Sequence, residues 1–155
     1  MKKRFNVELP ARPKVAVIGH SGSGKSTLSE FIAKEYSVPV LHIDSIHFLP
    51  GWVEREEEEE LALMRSFLDE NSIRGWVIDG NYRKLEHERR MSEADLIVYM
   101  NVGRVTCYIR AAKRAKKYKG TSRPDMAPGC FEKFDRSFKL WILREGRTRR
   151  KLKNY

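Results

Sequence analysis

Gly19-His20-Ser21-Gly22-Ser23-Gly24-Lys25-Ser26-Thr27 places three glycines, four hydroxyl side chains and one lysine directly behind the apolar run Val15-Ala16-Val17-Ile18. The spacing Gly19, four residues, Gly24-Lys25-Ser26 is that of a phosphate-binding P-loop. Glycine adopts positive φ without steric cost, so successive backbone N–H groups can turn inward and form a concave nest. The helix that follows adds the positive end of its dipole. A β-phosphate suits that nest, Lys25 would reach the β- and γ-phosphates as a point charge, and the Ser26 hydroxyl would ligate Mg²⁺. The expected nucleotide-binding set is Gly19, Ser21, Gly22, Ser23, Gly24, Lys25, Ser26 and Thr27, with ATP and Mg²⁺ as the bound species.

In open α/β sheets ligands lie beyond the carboxyl ends of the strands, so the other strand ends are the next places to look for chemistry. Asp79 closes the run Trp76-Val77-Ile78. It reads either as an acid that holds Mg²⁺ through water or as a turn and capping carboxylate. Asp44 follows His42-Ile43 and reads either as the group that accepts a proton from, or orients, an acceptor hydroxyl, or as a loop carboxylate capping the next element. The five-residue spacing of His42 and His47 fits no common metal site on a loop. Arg110 and Arg114 are four apart on a basic helix and share a face, from which two guanidiniums can fork onto phosphate oxygens or simply solubilise the surface. Arg123 sits in a loop rich in Gly, Pro, Thr and Ser. Such a loop would act as a lid that excludes water and brings a cation to the reaction.

These residues need a scaffold, and the hydrophobic pattern supplies one. Strands are expected at Lys14–Ile18, Pro39–Ile43, Gly75–Asp79 and Leu96–Val102, and helices at about Gly24–Tyr36, Trp52–Glu70, Lys84–Ser92, Val105–Tyr118 and Phe131–Glu145. Strands alternating with helices predict a parallel sheet with helices on both faces, a three-layer α/β/α domain. Residues 119–130 are the expected lid loop. The run Glu56–Glu60 reads as a solvated helix face near a helix start.

The chain has 155 residues, 41% hydrophobic and 34% charged, which fits one domain, 1–155, with a single core and a wet surface. No apolar run approaches the ~20 residues of a membrane helix. Met1–Pro13 lacks the apolar stretch of a secretory signal. Cys107 and Cys130 have no metal-ligand spacing and read as free thiols in a reducing cytoplasm. The net charge of +10 is uneven: from Arg104 onward there are 17 Lys and Arg against four Asp and Glu. Polyanionic partners follow from that asymmetry, and charge alone does not choose between nucleotides and nucleic acid.

With these residues assembled, the chain resembles the adenylate-kinase-like P-loop kinases. Asp79-Gly80-Asn81-Tyr82-Arg83 is similar to their Asp-Gly-Phe-Pro-Arg segment, with Asn81 and Tyr82 departing from it. The resemblance implies that Asp79 organises magnesium water and that Arg83 contacts an acceptor phosphate. It also implies that Arg110 stacks on the base, that Arg114 binds phosphate, and that Arg123 belongs to a lid. A second resemblance covers most of the chain. Asp44, Pro50-Gly51-Trp52, Asp79-Gly80-Asn81-Tyr82 and Arg123–Cys130 together look like the bacterial DNA topology modulation proteins, the FlaR-like group, P-loop proteins related to adenylate kinase. Such folds place a fifth strand after the last helix. None is evident here, so a sheet of four or five strands is expected.

Two functions remain open on the sequence. In the first, the γ-phosphoryl group of ATP passes to a small nucleotide-like or hydroxyl acceptor between Asp44 and Arg83, with Lys25, Arg110, Arg114 and Arg123 neutralising the developing charge. If Arg83 faces the site, a nucleoside monophosphate is the acceptor. If it faces solvent, a neutral hydroxyl beside Asp44 is favoured. In the second, the basic tail 144–155 binds DNA phosphates in a salt-dependent way under nucleotide control.

Overall fold

The computed structural model describes residues 7–144. The elements run β1 (Lys14–Gly19), α1 (Lys25–Tyr36), β2 (Val40–His42), α2 (Ile43–His47), β3 (Phe48–Leu49), β4 (Val53–Glu54), α3 (Glu57–Glu70), β5 (Trp76–Asp79), α4 (His87–Glu93), β6 (Leu96–Met100), α5 (Arg104–Lys117) and α6 (Arg136–Leu143). Four strands form a parallel sheet in the order β2-β5-β1-β6, and β3 and β4 form a separate antiparallel hairpin.

Alternation along the central strands builds two cores. From β1, Val15 and Val17 face a cluster with Ala33 and Val38 of the α1 side, joined by Val77 of β5. Ala16 points the other way, with Trp76 and Ile78 of β5, into a cluster closed by Ile43, Met64, Leu68 and Leu85. Side chains of a strand alternate between faces, so a strand buried on both sides reads as one continuous apolar run. That is the reason β1 and β5 are legible in the sequence. Trp76, Met64, Leu68 and Ile78 are fully buried; each such side chain contributes about 1.5–3 kcal/mol of burial free energy. The edge strand β6 alternates differently, with Ile97 and Tyr99 exposed.

Several expected boundaries move. The helix expected from Trp52 begins at Glu57, because residues 48–54 fold back as the β3–β4 hairpin. Its three-residue turn puts Gly51 at φ 81° and Trp52 at φ 67°. Four glutamates, Glu57–Glu60, then occupy the first turn of α3, where the helix dipole favours negative charge. The run is not wholly a solvated face: Glu60 is buried against His47. The last helix begins at Arg136 rather than Phe131, since Asp135 caps it by accepting from the Phe138 N–H at 2.8 Å. Phe131 instead pairs with Ser122 across an antiparallel bridge that closes the loop between α5 and α6. α6 packs on α5 through Cys107, Ala111 and Ile142, with Phe134, Phe138 and Trp141 around them. Among the described residues the parallel sheet has four strands, and tail residues 145–155 lie outside them.

Candidate functional site

The glycine loop leaves β1 at Gly19 and enters α1 at Lys25. Gly22 has φ 78°, and a Cβ there would lie 2.4 Å from the Cys107 carbonyl oxygen, so only glycine lets the loop pack under α5. α1 has no side-chain cap; its N-cap is Gly24, at φ 99°. Its first N–H groups therefore lack the intrahelical and capping partners that an ordinary helix start acquires. The Lys25 ammonium rests on the His20 carbonyl at 3.2 Å. Arg110 reaches the loop from α5, donating from Nη1 to the Ser23 carbonyl at 2.8 Å.

A cleft of about 1340 Å³ opens over this loop. Gly19, Ser21, Gly22, Ser23, Gly24, Lys25, Ser26 and Thr27 all line it, as do Asp44, Asp79, Arg110, Arg114 and Arg123. Arg83 alone of the expected set does not. It is exposed, because Tyr82 turns inward and its successor turns out. Of the two orientations open on the sequence, Arg83 takes the one that faces solvent.

Asp79 ends β5 and is buried. His42 is its partner, with Nδ1 2.9 Å from Asp79 Oδ2 and Nε2 2.9 Å from Glu30 Oε1. Burial alone would lower the His42 pKa, but the hydrogen bonds to Asp79 and Glu30 outweigh it and raise it to about 9. The imidazole is thus a cation at neutral pH, bridging the end of β5 to α1. The spacing of the histidines gave no sign of this, because the partner lies 37 residues away.

Asp44 lies in the first turn of α2, whose start has no side-chain cap. Its Oδ1 accepts from the Tyr82 hydroxyl at 2.8 Å. Burial raises the Tyr82 pKa far above the ordinary phenol value, and the Asp44 charge adds to the effect, so the phenol stays a donor. His47 lies against the Tyr82 ring, 4.6 Å between centroids, and its Nδ1 hydrogen-bonds the Glu60 carboxylate.

Asn81, where the chain departs from the kinase-like pattern, grips the glycine loop. It accepts from the Gly19 N–H at 2.9 Å and donates to the Gly19 carbonyl at 2.6 Å. Beneath it, the fully buried Arg90 donates to the carbonyls of Leu85 at 2.8 Å and Tyr82 at 2.6 Å, and reaches that of Gly80 at 3.4 Å. Burial lowers its pKa to about 10. Four successive residues from the end of β5 thus serve different partners: Asp79 His42, Gly80 Arg90, Asn81 the glycine loop and Tyr82 Asp44.

The lid segment is seated on the hairpin. Gly51 N–H donates to Gly129 O at 3.1 Å, and Trp52 Nε1 donates to Phe131 O at 2.8 Å. Met126, Ala127 and Cys130 pack against Phe48 and Trp52. Arg123 lies within this segment, its Nη1 donating to Asp125 Oδ2 at 2.9 Å. Glu132, which sequence reasoning missed, meets both cleft arginines. Its one distinguishing mark in the sequence is that it is an acid in a strongly basic half.

A glycine nest between a central parallel strand and a helix, with a lysine at the helix start and an acid ending the neighbouring strand, defines a P-loop NTPase domain. A family model described as ABC transporter matches residues 2–99, more than half of the chain, and the chain belongs to that family of P-loop ATP-binding domains. Among solved structures, a sugar kinase from Janibacter sp. HTCC2649, unliganded, is similar with a TM-score of 0.50 and 15% identity, over 81% of this chain and 80% of that one. A gluconokinase from Sinorhizobium meliloti 1021 gives a TM-score of 0.47 and 19% identity, over 88% and 78%. The sugar kinase likeness is one of fold. A search of curated proteins finds no significant match. No helix among the described residues is long and apolar enough to cross a membrane.

Proposed function

We propose that this chain is an ATP phosphotransferase acting on a small acceptor that presents an uncharged hydroxyl beside Asp44. One observation carries the reading: the glycine loop with Lys25 and the Asp44 carboxylate line one cleft. Of the carboxylates that line the cleft, Glu30 and Asp79 are paired with His42 and Asp125 with Arg123, while Asp44 meets the Tyr82 hydroxyl and Arg83 lies outside the lining. A phosphate or carboxylate on an acceptor beside Asp44 would meet like charge there. The cations Lys25, Arg110, Lys113, Arg114 and Arg123 line the same cleft and suit the triphosphate.

Asp44 accepts the acceptor's hydroxyl proton as the oxygen attacks the γ-phosphorus. The bond from that phosphorus to the bridging oxygen breaks, and ADP leaves. Tyr82 engages one Asp44 oxygen and orients the carboxylate. Lys25, Arg114 and Arg123 neutralise charge on the transferring group, which is where catalysis of this reaction chiefly arises. Ser26 and the buried Asp79 both line the cleft, and a hydroxyl plus one carboxylate suits a Mg²⁺ that keeps several waters. When bound, that ion would supply positive charge that offsets the charge of the phosphates. Little of this requires covalent chemistry from the protein; position does most of the work.

The FlaR-like resemblance fits this arrangement in one respect: Pro50-Gly51-Trp52 and Arg123–Cys130, far apart in sequence, touch beside the cleft. The alternative of DNA binding through the tail rests on residues 145–155, outside the described residues, and no observation favours it. A coupled assay of ADP release across polyols, sugars, nucleosides and nucleoside monophosphates tests the proposal. Turnover is expected with an uncharged hydroxyl compound and not with a phosphorylated one. If every acceptor gave only slow ATP hydrolysis, the phosphotransferase reading would be lost.

A further inference from the structure

The loop between α5 and α6 is closed at its foot by the antiparallel bridge of Ser122 with Phe131, and the Glu132 N–H donates to the Thr121 carbonyl at 3.2 Å. In an antiparallel pair, residues 121, 123, 130 and 132 share the face opposite to 122 and 131. The bridge therefore turns Arg123 and Glu132 to the same side. Arg114 meets them there from α5. Arg114 Nε donates to Glu132 Oε1 at 2.7 Å, and Arg123 Nε lies 2.7 Å from Glu132 Oε2. The second approach is an ion pair without good hydrogen-bond alignment. The Glu132 side chain is only 2% exposed and Arg123 8%, whereas Arg114 is 24% exposed.

A carboxylate this deeply buried is expensive to desolvate, and apolar residues of similar volume would stabilise the fold as well or better. Stability alone does not account for it. What the carboxylate does supply is geometry. Each oxygen takes one guanidinium by its Nε edge, and both arginines line the nucleotide cleft. Arg114, held by Nε, has its terminal nitrogens placed to fork onto an oxyanion, while Arg123, whose Nη1 also donates to Asp125, brings its charge and Nη2.

We infer that Glu132 is a positioning residue that holds Arg114 of α5 and Arg123 of the lid segment as one unit, set to meet the phosphoryl group in flight. The inference rests on the phosphotransferase reading and names which acid makes its arginines act together. Because the pair is held before any ligand arrives, its ordering cost falls on folding rather than on transfer.

The test compares two calorimetric titrations of the full chain: ADP with magnesium, and ADP with magnesium and fluoroaluminate, which mimics the transferring group. Glu132→Gln is expected to weaken the fluoroaluminate complex about tenfold to a hundredfold, while ADP affinity changes less than about twofold. In an Arg114→Ala/Arg123→Ala background, Glu132→Gln is expected to have no further effect on the fluoroaluminate complex. Glu132→Gln leaves the buried Arg123 and the partly exposed Arg114 short of charge, so Arg114→Lys supplies a second route at the more exposed position. It keeps the charge but loses the fork, and it too should weaken fluoroaluminate selectively. Equal weakening of both complexes, no weakening of either, or the same Glu132→Gln effect without the arginines overturns the inference. Wild-type protein that binds neither ligand overturns the phosphotransferase reading itself.

Discussion

Asp44, Lys25 and Asn81 show three different kinds of dependence at the scale of single side chains. In the proposed reaction Asp44 is the proton acceptor, and its replacement by Asn keeps the shape and the Tyr82 contact while removing basicity. Asp44→Asn is expected to lower kcat about 10²–10⁴-fold with nucleotide affinity retained, measured by coupled assay beside a binding titration; unchanged kcat would remove Asp44 from the chemistry. Asn81 acts on the frame. Asn81→Ala deletes two hydrogen bonds to Gly19, at a cost of about 1–2 kcal/mol in urea denaturation. It should also weaken ATP binding, since the loop loses its lateral tie. His42 makes stability depend on pH. Its folded pKa, about 9, lies above the ordinary 6.5. The imidazolium contribution is therefore fully present below pH 6.5 and lost as pH rises through 9. The melting-temperature advantage of wild type over His42→Gln in magnesium-free buffer should shrink across that window. A constant advantage would mean that the ring packs without charging.

At the scale of elements, the hairpin and the lid segment form one clasp, and glycine makes the contact possible. Gly129 has φ 81°, and a Cβ there would come within 2.9 Å of the Pro50 side chain. Gly129→Ala is expected to loosen the clasp at a cost of about 1 kcal/mol or more, with a shift in the emission of Trp52, whose indole is tied to Phe131. No spectral change would show that the two segments do not meet in solution. The clasp also shows what sequence periodicity can and cannot convey. β1, β5 and α1 are readable because burial on two faces, or on one helical stripe, leaves an apolar pattern within a single segment. The two-residue strands β3 and β4 leave no period to detect, and the glutamates after them make the region resemble one long helix. The site follows the same division. Lys25 and Ser26 are legible since their partners sit in one contiguous loop. His42, Glu132 and Arg90 are not, because each owes its role to residues brought to it by the fold. The orientation of Arg83 was open for a related reason: the segment pattern fixes residue order, whereas the turn at Tyr82 decides which side chain enters the cleft.

At the scale of the whole molecule, both signs of charge line one cleft. Phosphate-seeking cations come from the glycine loop, α5 and the lid segment, while carboxylates come from α1, α2, β5 and the lid. This mixture explains why net charge alone could not name a partner. It also makes nucleotide binding the claim on which everything else depends. Calorimetric titration of a non-hydrolysable ATP analogue with magnesium into wild-type protein and Lys25→Ala measures it directly. The account predicts saturable binding to wild type and an affinity at least about tenfold lower, roughly 1.4 kcal/mol, in a Lys25→Ala protein of unchanged fold. No binding to wild type, or equal binding to both, would contradict it.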